Sequence, residues 1–409
     1  MLILQSLINY VIIESAWYQA GTFITLGLMQ SSKNAINYEA FKENMTTQIS
    51  IIINNYNYGR FLAHAIESVL QQSYPYIQLI VVDDGSNDES CEVIARYSSQ
   101  LRAIFKSHGG QASALNAGFA QAHGDIIIFL DADDQLHSDA ASMIVRTWAQ
   151  NPGLARMHYR MDVIDQHGNA TGIIKPALHI PMPSGNLQNQ VLSFPDDMGW
   201  LPTSGNAYSA RVLQRIFPIP EEKFQILADC YLNHVTPLFG RVIAIEHVCA
   251  SYRMHGGNNH EQGQLNLHQI RRSLLHWHAS HQAIKHFAAE LHMPSNTLSP
   301  VTYAAHRLIS LRLDPHQHPF SNDNSYKALW SGWGAALQRF DTAWPMRLLF
   351  MIWFLCMAIA PIRLACWLAQ QWLYPESRPS FNRVLRYLHH DIHKNKAVLQ
   401  CMHVEQDQK

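Results

Sequence analysis

The sequence predicts an α/β protein, with a mostly parallel sheet carrying helices on both faces, followed by a helical C-terminal region. Three observations support this. Continuous β-branched runs such as Ile49-Ser50-Ile51-Ile52-Ile53 have the composition of buried strands. They alternate with segments of helical period, and such alternation implies a parallel sheet. Three of the runs end on polar or acidic residues, namely Asn54-Asn55-Tyr56-Asn57, Asp83-Asp84-Gly85-Ser86 and Asp131-Ala132-Asp133-Asp134. Open α/β sheets bind ligands beyond the carboxyl ends of their strands, where the strand order reverses. Those ends therefore mark the expected site.

The elements follow in order. After the first strand, Phe61, Leu62, Ala65, Ile66, Val69 and Leu70 recur at helical spacing up to Pro75. Residues 77–82 form the second strand, 89–99 a helix, 103–105 a short strand, 111–122 a helix and 125–130 a further strand. Beyond Pro152 the pattern is mixed: a hairpin of 157–164 with 171–174 about a His167-Gly168-Asn169 turn, then a loop rich in Pro and Gly up to Asn206. Helices are expected near 209–216 and 226–239, and strands near 242–245 and 249–253. Residues 263–340 read as helical.

The 409 residues suit two or three domains at roughly 150 residues each. Residues 1–45 read as an N-terminal extension outside the core, with Met45 a natural start. Residues 46–255 form the α/β domain and 256–343 a helical region. Residues 344–374 form an apolar helical segment and 375–409 a tail. With Lys+Arg 30 against Asp+Glu 31, the net charge of -1 excludes nucleic acid as the main partner, because phosphate binding needs a basic excess. The scattered cysteines, without CxxC pairs, read as reduced thiols in a cytosolic compartment. The histidines show no zinc spacing and read as solvated or interfacial.

Asp131 and Asp133 sit two apart after a buried strand. In extended chain they point to the same side, and two convergent carboxylates make a hard oxygen site for Mg2+ or Mn2+ completed by substrate phosphates. The competing reading is an acidic cap on the helix that follows. In the second strand's turn, one carboxylate of Asp83-Asp84 can accept a base N–H while Gly85 permits the tight turn.

Taken together, the segments Ile51–Asn57, Val82–Asp88, Gly109-Gly110-Gln111 with Asn116-Ala117-Gly118, and Leu130–Asp134 resemble, in order and spacing, the inverting family 2 glycosyltransferases of GT-A fold. The likeness covers about 49–255. It implies a GT-A type, Rossmann-like sheet and a nucleotide-diphosphate sugar donor. Asp84 would contact the base, with Asn55 and Tyr56 beside it, and Asp83, Gln111, Asn116 and Asp134 would belong to the same donor site. Asp131 would hold the ribose or a metal-bound water. Asp133 would hold Mn2+ or Mg2+ on the diphosphate, and His255 of Tyr252-Arg253-Met254-His255 would bind metal or diphosphate. Pro202–Asn206 resembles the family's acceptor-side loop, which assigns Gly205 and Asn206 to the acceptor. In Leu227–Leu232 the family's acidic pair is reduced to Asp229, because position 228 is Ala; Asp229 would be the base that deprotonates the acceptor hydroxyl. Leu115 likewise replaces an Arg often found before the Asn.

Two other readings remain. A sugar-phosphate nucleotidyltransferase would call for a Gly-rich loop with Arg and Lys after the first strand, where this chain has Asn55–Arg60. A catalytically inactive nucleotide-binding or assembly module is disfavoured by retention of Asp84, Asp131, Asp133 and Asp229. A processive polysaccharide synthase is disfavoured because no QxxRW-type motif is found.

The charged fraction, 15%, falls below the typical value of about 25%, which directs attention to an apolar surface. The uncharged run Leu348–Ile362 is too short for the roughly 20 residues of a spanning helix. With Trp344, Trp353, Trp367, Trp372 and Tyr374 as aromatic anchors and Arg347, Arg363, Arg378, Arg383 and Arg386 for anionic headgroups, it reads as membrane-interfacial. The expectation is a cytoplasmic enzyme, peripheral on the membrane, acting in envelope polysaccharide or glycolipid synthesis on a carbohydrate or lipid-linked acceptor. A buried helical hairpin is the alternative.

Overall fold

The computed structural model describes residues 47–256, 265–294 and 300–374. The expected extension, most of its boundary with the sheet domain and the C-terminal tail, including Arg378, Arg383 and Arg386, lie outside the described residues.

The sequence alternation is realised directly. β1 (Ile49–Asn55) leads into α1 (Gly59–Leu70), whose first turn is capped by the Asp88 carboxylate, which accepts from the Gly59 N–H at 2.9 Å. A carboxylate there also complements the partial positive charge of a helix start. β2 (Ile77–Asp83), α2 (Ser90–Arg96), β3 (Arg102–Phe105), α3 (Gln111–Phe119) and β4 (Ile126–Asp131) follow. Register pairing is parallel for β1 with β2, β1 with β4 and β2 with β3. The two faces of β1 are covered separately. Ile49, Ile51 and Ile53 pack in a core with Leu62, Ala65 and Ile66 of α1, while Ile52 meets Gly118 of α3. This is the two-sided burial that a continuous β-branched run requires.

Next come β5 (Gln135–Leu136), α4 (Ala140–Ala149), β6 (Leu154–Ile164), β7 (Ala170–Lys175), α5 (Gln188–Ser193), β8 (Asn206–Ser209), α6 (Ala210–Ile216), α7 (Ala228–Val235) and β9 (Arg241–Arg253). The sheet order is β3-β2-β1-β4-β8-β6-β9-β5, with β7 paired to β6. The first half is wholly parallel, as the alternation implies. Beyond β4 the sheet is mixed, with β8 antiparallel to both β4 and β6. β8 enters the sheet straight from the short 203–205 helical turn, with no helical crossover to reverse its direction. The expected hairpin is present as β6–β7. The two strands expected near 242 and 249 are one strand, β9, parallel to β6 and carrying register shifts between Tyr159 and Met161.

The described residues up to 256, together with 276–294, form the sheet unit. Residues 265–275 and 300–374 form a second, helical unit, so α8 (Leu267–Glu290) contributes to both. The helical unit contains α9 (Val301–Leu313), α10 (Ser325–Gln338), α11 (Trp344–Ile359) and α12 (Ile362–Leu373) around a core that includes Leu308, Ile309, Phe354 and Met357. Pro361 ends α11. Ala360 before it is extended, with ψ 146°, as sterics before proline demand. The uncharged run of the sequence thus lies in α11 up to Ile359, and only its last residue, Ile362, opens α12. Two of the expected aromatic anchors turn inward instead: Trp353 is buried, and Trp372 packs on it with ring centroids 4.3 Å apart. No helix among the described residues is long and apolar enough to cross a membrane.

The α3–β1 approach is close enough to test. A Cβ at Gly118 would lie 2.4 Å from Ile52 Cγ2 and 3.1 Å from Val82 Cγ2. Gly118→Ala should therefore destabilise the fold by about 1–3 kcal/mol, the usual range for overpacking. Urea unfolding measures it, and an unchanged midpoint would show that α3 is free to move off the sheet.

Candidate active site

The site begins with register. Between β1 and its neighbours β2 and β4 the strand order reverses, and there Asn54 is paired with Asp131 and Asn55 with Asp83. Side-chain contacts follow from that pairing. Asn54 Nδ2 donates to Asp131 Oδ1 at 2.9 Å, and Asn55 Nδ2 donates to Asp83 Oδ1 at 2.8 Å. Asp83 Oδ2 accepts from the Ser86 N–H at 3.0 Å, so this buried carboxylate braces its own turn.

Three carboxylates crowd the end of β4. Burial, followed by the charge of Asp133, pushes Asp131 up to about 7. Burial, then Asp133 and Asp131, raises Asp134 well above the usual carboxylate range. Asp134 Oδ1 accepts from the Arg253 N–H at 2.9 Å, whereas its Oδ2 is buried without a hydrogen-bond partner. His255 Nε2 lies 2.9 Å from Asp133 Oδ2, and the imidazole is enclosed by the rings of Tyr58 and Phe61 at 5.4 and 5.1 Å. Burial and then Asp133 raise the Tyr58 hydroxyl to about 12.

Asp229 opens α7. The preceding Leu227 is left-handed at φ 62°, ψ 40°, a conformation that is strained for a leucine and common near functional sites. The Ala228 N–H freed at this helix start donates to Gln111 Oε1 at 2.9 Å, and Gln111 Nε2 donates to Asp131 Oδ1 at 3.2 Å and Thr203 Oγ1 at 3.1 Å. Gln111 thus ties the end of β4, the 202–206 loop and α7 together. Burial pushes Asp229 up to about 6, and its charge reaches Asp131. One turn further along α7, Asn233 Nδ2 donates to Leu201 O at 3.0 Å and accepts on Oδ1 from the wholly buried Arg156, whose guanidinium lies over the Trp200 ring at 4.5 Å. Gly205 and Asn206 are buried within the same loop. Asn206 Nδ2 donates to Pro202 O at 2.7 Å, so its amide holds the loop in shape.

The remaining expected residues lie on the β2 side. Asp84 is buried and internally satisfied. Lys106 Nζ approaches Oδ1 at 2.6 Å, the Gly110 N–H donates to Oδ2 at 2.7 Å, and His108 Nδ1 is 2.9 Å from Oδ2. Asp84 therefore pins the 106–110 loop. Above it Tyr56, 41% exposed, stacks on His108 with ring centroids 3.9 Å apart. Asn116 clamps residue 219 in both directions, donating to Ile219 O at 2.9 Å and accepting from Ile219 N at 2.8 Å. The structure brings Gln111, Asp131, Asp133, Asp134, Asp229 and His255 into one acidic cluster. It engages Asp83, Asp84, Asn116 and Asn206 in holding loops.

The donor set fits a divalent cation. Asp133 and His255 offer a carboxylate and an imidazole on adjacent atoms, and Asp134 Oδ2 is a buried orphan that a nearby positive charge would stabilise. No group of three or more His, Cys, Asp or Glu arranged for a metal is found among the described residues. Mg2+ binds through few protein ligands together with substrate phosphates.

Sequence reasoning missed Asn54, Tyr58, Thr203 as a Gln111 partner, Arg253 and Arg156. Asn54 was within reach, since it precedes Asn55 by one and only the other parity of β1 can face β4's terminal aspartate. Arg156 carried no local signal, because its partners come from residues 200 and 233.

Residues 50–195 match the family described as Glycosyl transferase family 2. An uncharacterized glycosyltransferase of Nostoc sp., alr2836, is 39% identical over 217 residues, which is 52% of this chain and 66% of that protein. The glycosyltransferase GlyG of Streptococcus pneumoniae serotype 4 is 36% identical over 94 residues, 22% of this chain and 31% of that protein. The crystal structure of S. aureus TarS 1-349 superposes with a TM-score of 0.46 at 14% identity, covering 80% of this chain and 89% of that one, a likeness too distant to bear on function. Residues 50–195, which hold the parallel half of the sheet and the acidic end of β4, are a family 2 glycosyltransferase domain. The chain spans just under two thirds of the length of the Nostoc protein and under a third of GlyG.

The raised Asp229 makes a stability prediction of defined sign. Its folded value of about 6 exceeds the ordinary 3.8, so the folded state binds the proton more tightly, and stability falls as pH rises between about 4 and 6. Above pH 6 the full penalty is present, with a ceiling of roughly 3 kcal/mol for two pH units and about 1 kcal/mol once partial solvent access is allowed for. Asp229→Asn should therefore raise the melting temperature at pH 8 and leave it unchanged near pH 4. A variant less stable than wild type at pH 8 would contradict the burial argument.

Proposed function

We propose that this enzyme transfers a sugar from a nucleotide-diphosphate donor to an acceptor hydroxyl with inversion. The observation that carries the reading is Asp229, a desolvated carboxylate at the start of α7 whose charge reaches the acidic end of β4. A base tuned to about 6 is ionised at neutral pH yet retains affinity for a proton, as general-base catalysis requires. In one displacement the acceptor O–H gives its proton to Asp229 while its oxygen bonds to the anomeric carbon. The bond from that carbon to the diphosphate oxygen breaks on the opposite face, and its electron pair leaves with the diphosphate. The transition state has oxocarbenium character. Gln111 and Asn54 hold Asp131 beneath the donor, and the Tyr56–His108 stack offers an exposed aromatic face for the base, held in place by Asp84 through the 106–110 loop. Asp133 and His255 would hold Mn2+ or Mg2+, with the Asp134 charge close by, and such an ion supplies positive charge to the departing diphosphate. Gly205 and Asn206 shape the loop on the acceptor side. The acceptor is a carbohydrate or lipid-linked hydroxyl in envelope polysaccharide or glycolipid synthesis, reached by an enzyme on the cytoplasmic face of the membrane.

Two experiments test the assignment. Asp229→Asn should leave donor affinity intact and lower turnover by about two to four powers of ten, the worth of a positioned base. The wild-type turnover should fall about tenfold per pH unit below pH 6 and level off above it, because only the ionised carboxylate accepts the proton. Near-normal turnover in the variant would assign the base elsewhere. Separately, Asp133→Ala should abolish the Mn2+ dependence of nucleotide-diphosphate binding in calorimetry while the thermal unfolding of the free protein stays cooperative. Undiminished Mn2+ dependence would remove Asp133 from the metal.

A further inference from the structure

The helical unit carries large apolar residues on its outer surface as well as in its core. On α10 the buried positions are small, namely Ala328, Gly332, Ala335 and Ala336, whereas Tyr326, Trp330 and Leu337 are 69%, 51% and 45% exposed. A water-facing helix places its large apolar residues inward; here Leu329 and Trp333 do pack against the core, but Tyr326, Trp330 and Leu337 face out. At 100° per residue, those three outward positions fall within about 40° of one another. The inward small residues follow from the packing, since Gly332 meets the Phe354 ring of α11, where a Cβ would lie 2.3 Å from Cε1.

α11 buries large residues yet also carries an outward apolar stripe. Trp353, Phe354 and Met357 are buried, while Trp344, Leu348, Leu355 and Ile359 are 61%, 48%, 41% and 74% exposed. The last four fall within about 60° on the helix surface. Single exposed apolar residues are ordinary, but aligned stripes of them are not. The expectation from sequence alone uses Trp353, which is buried, and Trp372, which is half-buried against the core. The outward aromatics come instead from Trp344 and from α10, a helix outside the segment first read as interfacial.

Charge selects the occupant. Over residues 324–374 the acidic residue is Asp341, and Arg339 pairs with it at 2.6 Å, leaving Lys327, Arg347 and Arg363. Arg347 donates to the carbonyls of Thr342 and Leu337, which fixes a cation at the α10–α11 corner. Arg363 is exposed beside Ile362 and Leu364, themselves 44% and 37% exposed. A second copy of the chain would set these cations against each other, whereas anionic headgroups complement them. The 16 residues of α11 reach about 24 Å, short of the roughly 30 Å hydrocarbon layer, so the helix can lie in the interface but cannot cross it. Trp and Tyr on the stripe suit the headgroup level.

We infer that the outward face of α10 and α11 is a docking surface for a bilayer containing anionic lipid, with Trp330, Trp344 and Ile359 entering the interface and Lys327, Arg347 and Arg363 meeting headgroup charge. This deepens the peripheral placement proposed above. Its readout, lipid binding without turnover, fails independently of the transferase assignment. The test is flotation of the full chain with vesicles of neutral lipid alone or of neutral lipid with phosphatidylglycerol, beside a variant carrying Trp330→Ser, Trp344→Ser and Ile359→Ser. The wild type should float with the anionic vesicles, more weakly at 0.5 M salt than at about 0.1 M. The variant, with a thermal melt matching the wild type, should bind at least about tenfold more weakly. A second variant, Lys327→Gln with Arg363→Gln, should lose the preference for anionic over neutral vesicles. Wild type that ignores anionic vesicles overturns the inference. So does a triple-serine variant that floats as well as wild type, or light scattering that shows a wild-type dimer dissociated by the three serines, which would assign the face to a second copy.

Discussion

Repulsion among the carboxylates at the end of β4 is the constraint around which the sheet unit is arranged. Asp131, Asp133 and Asp134 fall within one turn of chain and are withdrawn from water, and each raises or is raised by its neighbours. Such a cluster survives only if donors are brought to it. They come from every side: Asn54 from β1, Gln111 from the start of α3, and the backbone and side chain of Arg253 from the last residue of β9, whose Nε donates to Asp133 O at 2.8 Å. The parallel half of the sheet delivers the acids, and the mixed half supplies the groups that make them tolerable. What remains uncompensated, including the buried Asp134 Oδ2, is the part of the charge that a substrate complex would be asked to balance.

The parallel half was legible because each of its strands declares itself locally. A run such as Ile49–Ile53 has to be covered on both faces, and α1 and α3, both later in the chain, do that. The mixed half was less legible, because its pairings are long-range. β6 meets β9 across nearly ninety residues and with slipped register, and β5 is a two-residue bridge, so neither leaves a period in the sequence. In the helical unit the hydrophobic pattern was read as an anchor, but it could not tell an aromatic that faces the core from one that faces out. Trp353 and Trp344 are nine residues apart, which at 100° per residue puts them on opposite faces of α11, but the period alone does not say which face is inward; packing against Phe354 and Trp372 decides it.

At the site, spacing singled out Asp131 and Asp133 and the family resemblance singled out Asp229, but neither says how the surrounding side chains are engaged. Asp84 illustrates the limit. A carboxylate after a strand looks available, yet the Gly109 and Gly110 amides and Lys106 close on it from a loop some twenty-five residues later. Conversely, Arg156 in the middle of β6 reads as an ordinary strand residue. Burial lowers its guanidinium to about 10, and it nevertheless anchors Asn233 and underlies Trp200. A buried cation without a carboxylate partner is expensive, and the position it occupies, between the 200–206 loop and the helix of Asp229, is where a rigid spacing would matter most.

Gln111 has a thermodynamic corollary. One uncharged amide touches Asp131 at the end of β4, Thr203 in the 202–206 loop and the first N–H of the Asp229 helix. Its orientation is set by donor and acceptor roles, because the Ala228 N–H needs an oxygen and the Asp131 carboxylate needs an N–H. No proton uptake by the amide can reverse it. Any free energy by which a donor at Asp131 tightens that bridge must appear, with the same magnitude and sign, as a change in affinity on the acceptor side. With donor and acceptor placed as proposed above, the two would be coupled through a single side chain, equally whichever binds first.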